Sequence, residues 1–437
     1  MKPMMHIYHW GAISLLSSFA TGLIAPILSL MLLDKGLDLS TLAFALGAYS
    51  LGVLLTEVPT GYISDRYGRR LCFLLSKGLS LLSSTLFIAT TGTLGLGAAL
   101  LTFALARSFA SGSFDALCVD QYIETFGKQR LSRITTLLSM WESVGLSVGS
   151  LASGAIVLGS RYLPMGFGQY DGNLLAYALV NLAVLVLGIF WIKDKSLSQD
   201  AENRKFSLLD MMGSVGHNHT LVGLFIAMVA TGFLLGSIET YWQPRFLQVA
   251  YSSTLVWAVG FLAFLGFVGA MGGNMLSGAY LGRHPRRNLI WYVASRIFLA
   301  AMAALLALSG DTLSYILAYS GLYLALGMAN IAENVLINQE ADSAMRSSIL
   351  SIGSFAIQGG ALMAMLVGGA VLGSPTGKIG TLWCVAALAV GATVVPVVMV
   401  TGPRSGSGRR RSSSVSTESG SRRPTTGPTG PVETPKN

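Results

Sequence analysis

The chain has 437 residues, of which 52% are hydrophobic and only 11% charged, against about 25% charged in an ordinary soluble domain. That composition excludes a water-soluble globule, and the formal charge of +9 needs no nucleic acid, because its placement follows the membrane rule set out below. Cys72, Cys118 and Cys384 stand at unrelated spacings within apolar stretches, which sets aside a disulfide framework and a metal site.

Apolar runs of about 20 residues, enough to cross roughly 30 Å of hydrocarbon, recur along most of the length. The first, Gly11 to Leu33, carries no charge. It is too long for the apolar part of a signal peptide and no small-residue cleavage site follows, so it reads as a retained span. Further helices are expected to begin near Leu39, Leu71, Leu94, Leu131, Leu174, Thr220, Thr254, Asn288, Thr312, Ile349 and Ile379, making twelve with the first, which begins near Tyr8. The runs are continuously apolar and not alternating, so the expected class is all-α membrane and not a barrel.

Basic residues orient the spans. Lys2, Arg66, Arg69, Arg70, Lys128, Arg130, Arg133, Lys193, Lys195, Arg204, Lys205, Arg283, Arg286, Arg287 and Arg346 all fall on the side of the N-terminus, and only Lys35, Arg161, Arg245 and Lys378 on the other. Fifteen against four places both termini in the cytoplasm by the positive-inside rule, in a plasma (inner) membrane. The expected organisation is a six-helix half over residues 1–192, a cytoplasmic linker over 193–216, a second half over 217–401 and a tail over 402–437. The tail is rich in Ser, Thr, Gly, Pro and Arg and is expected to be disordered. Its Arg409 to Arg411 cluster is either plainly solvated or touches anionic lipid.

An internal repeat supports the two halves. Gly61-Tyr-Ile-Ser-Asp65-Arg66-Tyr-Gly68-Arg69-Arg70 after span two is echoed by Gly278 to Arg287 after span eight. Ala20-Thr21-Gly22 is echoed by Ala230-Thr231-Gly232, and Val119-Asp120-Gln121 by Ile337-Asn338-Gln339, all in order at offsets of 210 to 218 residues. Repeated halves of this kind characterise secondary transporters. The first basic loop resembles the hallmark loop of the major facilitator superfamily, and with twelve spans and the repeat the resemblance covers residues 1 to about 401.

The resemblance implies that the loop latches the cytoplasmic helix ends together in the outward-open state. It implies a role for Asp65 near the N-terminus of span eleven, and for Arg69 a carboxylate partner on span four, for which Asp120 stands best. Gly61, Arg66, Gly68 and Arg70 belong to the same latch, and Glu57, one turn earlier, joins it. The second copy has Gly282 and Pro285 where the acid and glycine would stand. It is either a degraded latch or an ordinary basic anchor.

Ionisable residues within spans are costly and mark sites by default. The acids are Glu57, Asp115, Asp120, Glu142, Glu239 and Glu333, and the bases Lys77, Arg107 and Arg296. That excess of acid favours cationic or neutral polar cargo. Glu142, near the middle of span five beside Trp141, suits a proton-carrying or cargo-facing role; the alternative is a plain ion pair with Arg107 in span four. Asp115 and Glu333 occupy nearly repeat-related positions, as gate or proton sites or as interdomain latches. Glu239, with Tyr241 and Trp242, can hold a cation by charge and ring face, or the aromatics serve as interface anchors. Lys77 and Arg296, on spans the resemblance makes peripheral, snorkel or pair internally.

Two further family motifs are partial, since Arg107 is followed four residues on by Ser111 with Gly112 next, and the Gly145 to Gly154 stretch of span five lacks the expected proline. The expected function is secondary active transport by alternating access, with the proton gradient as driving force, no other cofactor, and efflux of hydrophobic or cationic small molecules in the manner of drug:proton antiporters. The alternatives are import or export of a metabolite such as a sugar, amino acid or lipid, and a non-transporting receptor or scaffold on the same fold. No covalent chemistry is expected, and the partners are cargo, protons and membrane lipid, around a monomer.

Overall fold

The computed structural model describes residues 2–111, 113–126, 131–162, 168–192, 218–340 and 346–401. The side chain of Asp65, Gly112, the linker and the tail lie outside the described residues. Twelve helices are long and apolar enough to cross a membrane, each closing its own backbone hydrogen bonds as a hydrocarbon environment demands. In chain order they are Lys2–Ile24, Leu39–Tyr67, Arg69–Ala89, the pair Thr93–Ala110 and Ser113–Phe126, Leu131–Gly159, Asp171–Trp191, His219–Val249, Ala258–Arg283, Asn288–Leu308, Thr312–Glu340, Arg346–Leu372, and the pair Ile379–Ala392 and Val394–Thr401.

Three interruptions depart from the uniform runs expected above. Span one stops at Ile24 and resumes as a short helix, Leu28–Asp34, because Pro26 offers no amide hydrogen and its ring crowds the carbonyl four residues back. Pro396 does the same to span twelve, which breaks at Thr393. Span four breaks after Ala110, where Ser111 turns its backbone to φ −57°, ψ 122°. Polar caps start other spans: Asp38 accepts from the Thr41 amide at 2.7 Å and its own amide donates to Thr41 Oγ1 at 2.9 Å, the reciprocal arrangement of a capping box. That amide hydrogen bond holds the Asp38 carboxyl below its ordinary range.

The helix pairing repeats. Span one packs on spans five and six, two on four, and three on four and six; seven packs on eleven and twelve, eight on ten, and nine on ten and twelve. The sets meet where span two packs on eleven and five on eight. Small residues let backbones approach at these seams. A Cβ on Gly22 would stand 2.5 Å from the Leu146 carbonyl oxygen, and one on Gly232 would stand 2.0 Å from that of Ile357. The echoed Ala-Thr-Gly triplets are thus the closest-approach points of two equivalent crossings, span one on five and span seven on eleven.

The two sets touch at one end. Among the described residues, all four hydrogen bonds between them lie from the middle of the spans toward the end away from the basic loops. Ser40 Oγ donates to the Gly369 carbonyl at 2.7 Å, Tyr241 Oη to that of Leu39 at 3.2 Å, Gln243 Nε2 to that of Ala25 at 3.4 Å and Ser50 Oγ to Met365 Sδ at 3.5 Å. At the same end Gly154 and Gly260 bring spans five and eight together, where a Cβ on either would stand 2.3 Å from the other span's backbone carbonyl. Toward the basic loops the walls are polar and reachable, with Ser139 and Ser143 exposed on span five and Asn330 on span ten. Lipid would not solvate such a stripe, so it faces a water-filled cleft.

Gly154→Leu is expected to force this closed end apart. A disulfide between cysteines introduced at Ser40 and Gly369 should form readily in an otherwise unchanged chain and several-fold more slowly with Gly154→Leu, read as band shift on gels.

Candidate functional site

Within the first set of spans lies a cavity of about 200 Å³ walled by spans one, two, three, four and six. Lys77 and Arg107 both line it, together with Tyr49, Tyr177, Asn181 and Thr21. Lys77 is buried and stands over the Phe73 ring, 5.1 Å from its centroid. It therefore does not snorkel to the surface as its span's expected position suggested. Arg107 is exposed within the cleft and close enough to Glu142 for their charges to interact. No ion pair within 4 Å joins them among the described residues.

Glu142 finds a different neighbour. Its carboxyl group comes close enough to that of Asp115 for the two to interact, so the break in span four and the middle of span five bring two acids together. Two carboxylates held that close repel each other unless a proton lies between them. Trp141 turns the other way and lies against span one, where a Cβ on Gly11 would stand 2.7 Å from its ring. It serves helix packing.

Asp115 and Glu333 have different surroundings. Arg296 and Lys77 each sit eight residues into a 21-residue helix, an offset of 219 residues between spans three and nine. Glu333 is buried, accepts from Tyr292 Oη at 2.5 Å and lies 3.9 Å from Arg296 Nη1. Arg296 is fully buried. Its guanidinium donates to Thr231 Oγ1 at 2.9 Å, to Thr393 Oγ1 at 2.8 Å and to the Ala227 carbonyl at 3.1 Å. The break in span twelve thus exposes an acceptor that the arginine uses. This satisfied network ties spans seven, nine, ten and twelve together; of the two readings the sequence left for Arg296, the structure has the internal pair.

Glu239 is exposed within a ring of protein and accepts from Tyr323 Oη of span ten. Its sequence neighbours do not share that setting. Tyr241 and Trp242 are buried, Tyr241 bonded to span two across the closed end and Trp242 packed on Tyr319 with ring centroids 5.0 Å apart. The aromatic neighbour of Glu239 is therefore Tyr323, with Tyr319 tilted against it at a centroid distance of 4.8 Å, and not the adjacent pair. Tyr241, two residues on, faces another way on the helix, whereas Trp242, three residues on, lies toward the same side but packs its ring on Tyr319.

Residues 11–365 match the profile of the Major Facilitator Superfamily. The chain belongs to that superfamily. Among curated proteins it is 26% identical over 267 residues to an uncharacterised MFS-type transporter, YxaM, of Bacillus subtilis (strain 168), a match covering 60% of this chain and 61% of the relative. It is 27% identical over 237 residues to the facilitated glucose transporter member 10 of solute carrier family 2 from Danio rerio, covering 49% of this chain and 42% of the relative. The matched stretches thus span less than two thirds of each relative's length. Among solved structures, the nucleoside transporter NupG superposes with a TM-score of 0.74 at 13% identity, over 90% of this chain and 98% of that one, a likeness of fold alone.

In this superfamily chain the first basic loop joins spans two and three at Gly68, whose φ of 101° lies in the left-handed region that glycine enters freely. Arg69 Nη1 pairs with Asp120 Oδ2 of span four. Arg70 Nη2 donates to the Ile189 carbonyl at 2.8 Å, Arg66 Nη1 to Tyr62 Oη at 3.2 Å, and Ser111 Oγ to Glu57 Oε1 at 3.2 Å. Gly61 has open space around it. All of these bonds stay within the first six spans. At the second copy Asn338, the echo of Asp120, donates to the Asn334 carbonyl of its own helix at 2.7 Å, and no ion pair forms at Arg286 among the described residues.

Sequence reasoning passed over Tyr49, Tyr177, Asn181, Tyr292, Tyr323 and Thr393, which are uncharged and scattered over five spans. The register of Lys77 with Arg296 was the one readable signal. Glu333→Leu should lower stability by about 3 kcal/mol by leaving Arg296 buried and unpaired. Arg296→Met combined with Glu333→Leu should recover much of that loss, measured by thermal unfolding of the purified protein in detergent.

Proposed function

We propose that this protein is a proton-coupled secondary active transporter that works by alternating access, rocking residues 1–192 against residues 217–401 around a central cleft. The observation that carries this reading is the approach of Asp115 and Glu142 to one another, beside Arg107 in a cleft whose far end is closed by spans two, five, eight and eleven. A pair of carboxyl groups that shares a proton can take up a second or release the first as the cleft changes its access to water. Arg107 nearby senses the change, because its charge faces one fewer negative charge when the pair is protonated.

With both termini in the cytoplasm, as the basic residues indicate, the cleft opens inward. The Arg69–Asp120 bond holds the first basic loop against span four in this state, leaving Asp65 to meet span eleven in the opposite one. Antiport with efflux fits the half-repeat and the first basic loop. The preference for cationic cargo has weaker support, since all six acids are engaged: Asp115 with Glu142, Glu333 with Arg296 and Tyr292, Asp120 with Arg69, Glu239 with Tyr323 and Glu57 with Ser111.

The test uses the full chain in proteoliposomes with an internal pH-sensitive dye, adding ethidium, benzoate, glucose and uridine in turn. At least one is expected to drive proton movement, reduced about tenfold or more by Glu142→Gln and by Asp115→Asn, as losses of a positioned proton carrier are. Undiminished proton movement in Glu142→Gln would remove the pair from the mechanism.

A further inference from the structure

We infer that the cavity holding Lys77 and Arg107 is a subsite for the anionic group of a small organic cargo, a carboxylate or a phosphate. The inference rests on the transport reading above and names its cargo class.

The two halves treat one repeat-related base in opposite ways. One offset of 219 residues relates Phe73 to Tyr292, Lys77 to Arg296 and Phe114 to Glu333. In the second half the tyrosine and the acid are hydrogen-bonded at 2.5 Å and the arginine is enclosed by acceptors on every side. In the first half Phe73 and Phe114 stack with ring centroids 4.9 Å apart, and neither ring offers an acceptor. The base is retained while the groups that would satisfy it are replaced by hydrocarbon.

Lys77 is only 7% exposed, yet no hydrogen bond or ion pair to it occurs among the described residues. Its one described polar contact is the face of Phe73. A buried ammonium without a counter-charge is strongly unfavourable, and the cavity wall supplies none, for no aspartate or glutamate lines it. Arg107 lines the same space and adds a second positive charge. Both cations therefore line a cavity of about 200 Å³ that is open to the cleft, several times the roughly 30 Å³ a water molecule occupies. Around them Tyr49, Tyr177, Asn181 and Thr21 offer hydroxyl and amide groups able to donate to an anion's remaining lone pairs. A cationic cargo would meet two like charges there and no carboxylate.

The test measures thermal stabilisation of the purified full-length protein in detergent by four probes of one shape: benzoate, phenyl phosphate, benzyl alcohol and benzylamine. A ligand that binds the folded state raises the unfolding temperature saturably. Benzoate or phenyl phosphate, whichever carries the preferred head group, is expected to do so at millimolar concentration, while the neutral alcohol and the amine leave it unchanged. Lys77→Gln and Arg107→Gln should each weaken that binding about tenfold or more, and Lys77→Arg should keep the larger part of it.

Should Lys77→Gln fail to fold, Arg107→Gln decides, since Arg107 is exposed in the cleft and its loss leaves no buried group unpaired. Stabilisation by benzylamine in place of the acids, no stabilisation by either acid, or acid binding unchanged in Arg107→Gln overturns the proposal. Binding is read without any gradient, so its failure leaves the coupling role of Asp115 and Glu142 standing, and a failure of that role leaves the anion subsite standing.

Discussion

Every charge placed between the membrane faces must find a partner inside the protein, because hydrocarbon supplies none. That constraint orders the whole molecule. The backbone meets it by closing into helices, and the side chains meet it by gathering acids, bases and hydroxyls from different spans. Where gathering is complete, as around Arg296, four spans are fixed to one another by a single side chain. Where it is incomplete, as around Lys77, a charged side chain borders a cavity. The two halves differ in which of these two outcomes one repeat-related position has.

The seams between helices follow from the same lack of water. Lipid tails solvate leucine as well as other leucines do, so helices adhere by close backbone contact and by polar bonds. The glycines at 22, 149, 232 and 360 permit the first kind at equivalent crossings of the two halves. The contacts between halves are fewer and concentrated at one end, with hydroxyl and amide donors reaching single carbonyls across the seam. Bonds of that kind exchange for water at modest cost. The ion pair at Arg69 is different in placement, within one half, with Asp120 substantially exposed, so it steadies a loop more than it holds the halves.

Much of the architecture is legible in the residues. Long apolar runs mark twelve spans. The Asp65 to Arg70 stretch, with the triplets at Ala20 and Ala230, carries the family resemblance and the repeat. The motif pairs Arg69 with Asp120, and they meet. The candidate site is less legible. Sequence reasoning offers Glu142 a plain ion pair with Arg107 as its alternative role, and its near neighbour is Asp115; it sets Tyr241 and Trp242 beside Glu239, and they are buried in packing.

Those errors share a cause. The sequence by itself determined which segments enter the membrane, how many there are, and that two halves are related, because hydrophobic transfer depends on each segment's own composition and length. It also determined that Lys77 and Arg296 are charges in the wrong solvent. Only the tertiary structure decided what each charge faces, because a partner comes from another helix and one residue of register, about 100° of rotation, changes the neighbour entirely. Hence Arg296 is sealed within a network while Lys77, its counterpart, is left facing a cavity.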